Sequence, residues 1–214
     1  MRTKEESLRY LEEKFNIEAF RLPTKTYFRP WQDEIDDELE KQRDSVKKTV
    51  RIFLEIDRIY IAALGRSKLS ALNAGMRFMH IGYPVYEVGH PLTPAIGNDE
   101  RYKDLLYAVS GSGETKFVVS AAEKAKEKDV PVIAITSNLN SRLAQLATEK
   151  IVTKGKKILS SDSQIPSEFE EPINFLQSKS ENKAYHIGDL LVSSIAKMKG
   201  ITEADMEKRH ANTE

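Results

Sequence analysis

Short β-type runs alternate with helical patterns from residue 58 to residue 153, and this alternation constrains the fold more than any other feature of the sequence. Strands are expected at 58–64, 84–88, 105–109, 131–136 and 150–152. Helices are expected between them at 68–80, 115–128 and 141–147. Such alternation is typical of βαβ units around a parallel sheet. Runs that are apolar throughout, such as VIAI in the fourth strand, favour strands covered on both faces, so we expect an α/β fold with a parallel sheet.

Helical and polar segments flank this alternating region. Residues 1–57 are interpreted as an N-terminal helical extension of a domain formed by residues 58–214. Apolar residues of the extension recur at steps close to three, four or seven, which predicts one amphipathic helix with the stripe Trp31, Ile35, Leu39, Val46, Val50 and Phe53. A shorter helix is expected around Leu8, Leu11 and Phe15. The rest comprises a surface loop or mobile flap at 154–174, a helix at 184–199 and a charged tail at 201–214.

Composition argues against several classes of function. Lys and Arg number 33 and Asp and Glu number 33, so no long-range field favours nucleic acid or an anionic membrane. The absence of cysteine removes disulfides, thiolate nucleophiles and cysteine-built metal sites, and the four histidines lack HExxH spacing. No apolar leader or membrane-spanning run is visible. We therefore expect a cytoplasmic protein without metal or cofactor that binds neither nucleic acid nor membrane.

Two loops rich in glycine and hydroxyl groups leave the carboxyl ends of predicted strands and enter helices. The first is Gly65-Arg66-Ser67, and the second is Ser110-Gly111-Ser112-Gly113-Glu114-Thr115. In a parallel sheet of order 2-1-3-4-5 the winding reverses between strands one and three, where ligands bind. Glycines let the backbone approach a ligand, hydroxyl and N–H groups donate, and a helix N-terminus favours an anion. These loops predict a phosphate site, to which Thr136-Ser137-Asn138 after the fourth strand adds a weaker third wall.

Better-known phosphate motifs do not match the second loop. A Walker A loop needs Gly-Lys-Ser/Thr, but Glu114 follows Gly113. The dinucleotide fingerprint GxGxxG needs a third glycine, which is missing after Gly111 and Gly113. An ordinary capped helix turn is the alternative interpretation. We favour phosphate binding because three hydroxyl groups and two glycines fall within six residues.

Three stretches resemble a known family. They are GRSKLSALNAGMRFMHIGYPVYEVGHPLTPAI, YAVSGSGETKFVVSAAEKAKEKDVPVIAITSNLNSRLAQLA and ITEADMEKRHANTE. They are similar to the sugar isomerase (SIS) domain proteins of the 6-phospho-3-hexuloisomerase family, over about residues 58–153 and 184–214, and the combination of SGSGET, AITSN and KRHAN is more specific than any one piece. The resemblance implies a three-layer, flavodoxin-like sandwich around a five-stranded parallel sheet and assembly as a tetramer, with a dimer as the alternative. It also implies metal-free interconversion of D-arabino-hex-3-ulose 6-phosphate and fructose 6-phosphate.

The resemblance also assigns site residues. Those that fall on phosphosugar-binding positions or shape the loops are Gly65, Arg66, Ser67, Ser110, Gly111, Ser112, Gly113 and Thr115, and Ser137 is added from the third wall. Moving a carbonyl along a sugar also needs a base that carries a proton between carbons through an enediol, and a group that protonates or opens the sugar oxygen. The family's histidine, in an MRLMHLG-like helix, matches His80. The alternative for His80 is a histidine that favours the C-terminal dipole of its helix.

The family's base lies in a PLGTxFE-like segment that is eroded here. Counting back without gaps from KRHAN places Glu181 on its glutamate, whereas a second alignment uses Glu170; either could also be a solvated loop charge. Ala63 replaces the family's first glycine and Lys68 replaces another. A noncatalytic module that binds a sugar phosphate, as a sensor or an assembly partner, is therefore the second hypothesis, and an isomerase of another sugar phosphate is the third. His210 is either an exposed tail residue or a group that reaches a neighbouring subunit's site.

Overall fold

The computed structural model of the chain describes residues 2–14, 29–153 and 178–210. Strands lie at β1 (Arg58–Ala63), β2 (Val85–Glu87), β3 (Asp104–Val109), β4 (Val132–Thr136) and β5 (Glu149–Val152). Helices lie at α1 (Lys4–Lys14), α2 (Arg29–Lys41), α3 (Arg43–Glu55), α4 (Gly65–His80), α5 (Lys116–Glu127), α6 (Arg142–Leu146), α7 (Ser178–Lys199) and α8 (Glu203–Glu207). The predicted alternation of strands and helices is confirmed, with small shifts at the ends of the elements.

The five strands form one parallel sheet in the predicted order, β2-β1-β3-β4-β5. Ile59 of β1 pairs with Val85 on one side and with Leu105 on the other. Strands β1, β3 and β4 are buried along their whole length, because helices cover both faces of the sheet. The order places the reversal of winding between β1 and β3, as in flavodoxin-like folds.

Side chains alternate between the two faces and so form two apolar layers. Ile59 and Ile61 of β1 belong to the layer beneath α3, α4 and α7. Tyr60 and Ala62 belong to the layer beneath α5 and α6. The result is the three-layer α/β sandwich that the sequence predicts.

The N-terminal helices share the core of the sandwich. Leu11 of α1 and Ile35 of α2 are buried in the same apolar cluster as the strands. Phe53 of α3 stacks on Phe78 of α4 with 4.8 Å between ring centroids. Burying a side chain of this size stabilises the fold by about 1.5–3 kcal/mol. Helix α3 therefore acts as a layer helix of the sandwich, although it precedes the boundary predicted at residue 57.

The apolar stripe from Trp31 to Phe53 spans two helices, so the prediction of one helix was wrong. The break is at Gln42, where φ is −114° and ψ is 18°. The Gln42 side chain reaches the exposed edge of the sheet: its Nε2 donates to Val152 O at 3.0 Å and Val152 N donates to its Oε1 at 2.7 Å. An edge strand needs partners for its free backbone groups, and here a side-chain amide supplies them.

Two further differences concern the C-terminal part. Helix α7 begins at Ser178, earlier than the apolar pattern from residue 184 predicts, because its polar first turn is held by tertiary contacts described below. Part of the predicted charged tail forms α8, which Thr202 and Asp205 begin with a capping box. The predicted flap at 154–174, with Glu170, lies outside the described residues. Within the ranges described, no helix has the length and apolar character needed to cross a membrane.

Candidate active site

The candidate site lies at the carboxyl edge of the sheet, where α4 follows β1 and α5 follows β3. Neither helix begins with a side-chain cap: the N-cap residues Leu64 and Thr115 make no capping hydrogen bond. By contrast, Ser141 caps α6 by accepting a hydrogen bond from Ala144 N. The first-turn N–H groups of an α-helix have no partner within the helix, so these two adjoining helix starts offer donors to an anion.

The loop after β3 is organised by its own hydroxyl groups. Ser110 is buried, its Oγ lies 3.0 Å from Thr115 Oγ1, and it accepts a hydrogen bond from Gly113 N at 3.1 Å. Ser112 is exposed and accepts a hydrogen bond from Glu114 N at 3.2 Å. Ser110 therefore shapes the loop from inside, while Ser112 presents its hydroxyl group to solvent at the edge of the sheet.

Glycine is required at Gly113 for two reasons. Its φ is +67°, which L side chains rarely adopt, and a Cβ atom there would clash with the Ser141 side chain. The loop also bonds to the next one, since Ser137 N donates to Gly111 O at 2.9 Å and Leu143 N donates to Gly113 O at 3.1 Å. The loops after β3 and β4 thus form one surface.

Glu181, in the first turn of α7, contacts the loop after β1 through its side chain. Its Oε2 lies 2.7 Å from Arg66 Nη2, and Ser70 Oγ donates to its backbone oxygen at 2.8 Å. The Glu181 side chain is 17% exposed and that of Arg66 47%. The bond to Glu181 raises the pKa of the Arg66 guanidinium. The structure therefore brings the predicted base to the predicted phosphate loop, where Ser67 also lies, in the first turn of α4.

His80 does not join this site within one copy of the chain. It is the last residue of α4, whereas Gly65 is the first, and a helix of 16 residues is about 24 Å long. The ring of His80 packs on His210 with 5.1 Å between centroids. Burial lowers the pKa of His80, and His210 and Arg77 lower it further. The expected pair of Glu181 and His80 is therefore not formed in the protomer, because the helix that carries both loop and histidine holds them apart.

Ser137 lies in a cluster of hydroxyl groups beside the loops. Its Oγ is 2.5 Å from Ser180 Oγ and 3.1 Å from Thr153 Oγ1, and the last two lie 3.1 Å apart. Ser137 is half-buried, and its hydroxyl group ties the end of β4 to the first turn of α7. Sequence reasoning missed both partners. Thr153 follows β5, so the rule of polar residues at strand ends could have found it, whereas nothing in the sequence marks Ser180.

The substituted positions of the first loop also have defined environments. Lys68 Nζ lies 2.5 Å from Glu87 Oε1 at the end of β2, and Ala63 is buried at the end of β1. Both cations of this loop, Arg66 and Lys68, therefore face carboxylates. Among the described residues, no group of three or more His, Asp and Glu side chains could hold a metal ion.

Comparison with known proteins identifies the family of the chain and several relatives. The SIS domain model matches residues 52–163. The chain is 36% identical over 168 residues to an uncharacterised protein of Archaeoglobus fulgidus, covering 78% of this chain and 87% of that protein. It is 31% identical over 183 residues to a 3-hexulose-6-phosphate isomerase of Mycobacterium gastri, covering 85% and 87%. A solved Methanococcus jannaschii structure, from which 3-hexulose-6-phosphate isomerase function was inferred, matches with a TM-score of 0.68 and 25% identity, covering 86% and 97%.

Proposed function

Because the chain belongs to the SIS domain family, we propose that it is a phosphosugar isomerase that interconverts D-arabino-hex-3-ulose 6-phosphate and fructose 6-phosphate. The relatives named for 3-hexulose-6-phosphate isomerase support this substrate pair. The single observation that carries the proposal is the position of Glu181, 2.7 Å from Arg66 at the start of α4. A carboxylate beside an anion-binding loop is the arrangement that an isomerase of sugar phosphates needs.

The phosphate group would bind between the starts of α4 and α5. Their first-turn N–H groups, the hydroxyl groups of Ser112 and Thr115 and the guanidinium of Arg66 are its donors. An arriving dianion would compete with Glu181 for Arg66. Phosphate binding and release of the Glu181 carboxylate are therefore coupled, so the base becomes available when the substrate is in place.

In the reaction, Glu181 takes a proton from one of the two neighbouring carbons and returns it to the other. The carbonyl of the hex-3-ulose is at C3, and that of fructose is at C2. Glu181 removes the proton from C2 of the hexulose, the electrons form an enediol between C2 and C3, and the proton is delivered to C3 while a hydroxyl proton moves between the two oxygens. The reaction is an isomerisation, so no oxidant or reductant is consumed.

The second candidate is a noncatalytic module that binds a sugar phosphate. It is favoured by the ion pairs of the two cations near the first loop. Arg66 pairs with Glu181, and Lys68, which stands where the family has a glycine, pairs with Glu87. In this case the ion pair would close the binding loop and Glu181 would carry no proton.

Proton exchange separates the two candidates. Fructose 6-phosphate is incubated with the protein in D₂O, and loss of the C3 proton signal is followed by NMR. We expect exchange with the natural protein, no exchange with Glu181→Gln, and retained binding by calorimetry in that variant. Glu203→Gln, an exposed glutamate on α8, is the control and should exchange normally. Binding without exchange at any pH would contradict the proposed isomerase and favour the noncatalytic module.

A further inference from the structure

A buried ion pair joins the N-terminal helices to the helix that carries Glu181. Lys183 Nζ of α7 lies 2.6 Å from Glu38 Oε1 of α2, and the two side chains are only 0% and 7% exposed. Lysine and glutamate are almost never fully buried unless they are paired. The two residues are 145 positions apart in the sequence, so the pair connects two distant parts of the chain.

A second connection links the same two parts of the chain. Gln42, between α2 and α3, binds Val152 at the end of β5 through both atoms of its amide. The next residue, Thr153, lies 3.1 Å from Ser180 Oγ in the first turn of α7. Hydrogen bonds thus run from the junction of α2 and α3 through the end of β5 to Ser180.

Glu181 lies between these two connections in the sequence of α7. Ser180 precedes it and Lys183 follows two residues later, and its own backbone oxygen accepts the bond from Ser70. Because a helix is regular, its rotation and register set the directions of all its side chains together. Whatever holds Ser180 and Lys183 therefore decides whether the Glu181 carboxylate faces Arg66.

We infer that the Glu38–Lys183 pair is a positioning device that sets the first turn of α7, so that the N-terminal helices orient Glu181 for proton transfer. This inference rests on the proposed function. It also gives the described N-terminal helices a role in the chemistry of the site.

An ion pair suits this task better than an apolar contact. Apolar side chains tolerate sliding, whereas a buried charge is strongly disfavoured once its partner moves away. The first turn of α7 is otherwise polar and lacks the apolar spacing of the rest of the helix. The pair thus restricts α7 to the rotation and register in which Lys183 meets Glu38.

The test compares Glu38→Gln, Lys183→Met and the double variant. Each should lower kcat by about tenfold or more, since small displacements of a catalytic group are costly. KM for fructose 6-phosphate should not rise, because the phosphate loops are untouched and a displaced Glu181 competes less with the phosphate for Arg66. The three losses should be similar in size, as expected for residues that act as one unit. If Lys183→Met fails to fold, the double variant decides, because removing both charges together is usually tolerated.

A second readout does not depend on activity. Amide hydrogen–deuterium exchange of residues 180–186 should become faster in the variants, by about tenfold or more, because the first turn of α7 opens more often. Glu12→Gln is the matched control: it removes an exposed pair with Lys47 from the same N-terminal helices and should change neither kcat nor exchange.

The two readouts separate this inference from the proposed function. If the natural protein never exchanges the C3 proton of fructose 6-phosphate, the proposed isomerase function is wrong. Amide hydrogen–deuterium exchange would still show whether the Glu38–Lys183 pair orders the first turn of α7. A folded double variant with natural kcat would overturn the positioning role, whether or not amide exchange rises. Lower kcat with unchanged amide exchange would also overturn it.

Discussion

Gly113 shows how a single residue keeps the phosphate loop in its conformation. Its φ of +67° and its closeness to Ser141 each exclude a side chain. Because its backbone oxygen also binds Leu143 N, the loop cannot move independently of α6. The hydroxyl groups of Ser112 and Thr115 are therefore held at fixed positions before any ligand arrives. Donors arranged in advance lose less entropy on binding.

Removing both of these hydroxyl groups, in Ser112→Ala with Thr115→Ala, should weaken binding of fructose 6-phosphate. A hydrogen bond to a charged group contributes about 1.5–3 kcal/mol, so we expect affinity to fall by about tenfold or more in calorimetry. Ser120→Ala is the control, because Ser120 is an exposed serine of α5, the helix that follows Thr115. This variant should bind fructose 6-phosphate normally. Unchanged affinity in the double variant would place the phosphate elsewhere.

At this scale the sequence predicts which residues can bind phosphate, but it does not show where each side chain goes. Glycines and hydroxyl groups at strand ends identify the loops because the topology brings those ends together. His80 shows the limit: its motif matches the family, yet a motif does not reveal that its helix points away from the loop. Ser137 was expected to face the ligand, and its partner Ser180 could not be foreseen because it lies on a distant helix.

Among the elements, the junction of α2 and α3 illustrates a different limit. The apolar stripe continues through the break, since Leu39 and Val46 are seven residues apart and both are buried. Periodicity therefore predicts one helix, and only the need of β5 for edge partners explains the interruption. The early start of α7 has the same origin, because the burial of Lys183 depends on Glu38. In contrast, the five strands and their parallel direction follow from local patterns, while the flavodoxin-like order is what the family resemblance implies.

Replacing Gln42 by alanine should destabilise the fold. Gln42→Ala removes two hydrogen bonds to the backbone of Val152 and leaves that edge without the side-chain amide, which should cost about 1–3 kcal/mol. Urea denaturation measures the difference. Gln145→Ala removes one hydrogen bond from an exposed side chain of α6 to Asn140 and should cost less. If the two variants lose the same free energy of unfolding, the contact of Gln42 with the edge strand stabilises the fold no more than an exposed hydrogen bond does.

For the whole molecule, the length of α4 limits how one copy of the chain can work. The phosphate loop starts this helix and His80 ends it, about 24 Å away. Between them the helix exposes large apolar side chains at Leu69, Met76 and Met79. If His80 takes part in the chemistry of a site that contains Glu181, a second copy of the chain must supply it. Such sharing would need an assembly of the kind that the family resemblance implies, a tetramer or a dimer.

Mixing two inactive variants tests this arrangement. Glu181→Gln and His80→Gln should each be inactive in proton exchange, while mixed oligomers contain some sites with both natural residues. For sites shared between two copies, random mixing at equal amounts should restore about a quarter of the natural activity, because half of the pairs are mixed and each has one intact site. Sedimentation establishes that the oligomers have formed. If mixed oligomers recover no activity, Glu181 and His80 do not act at a shared site. If the His80→Gln protein is active by itself, His80 takes no part in the chemistry.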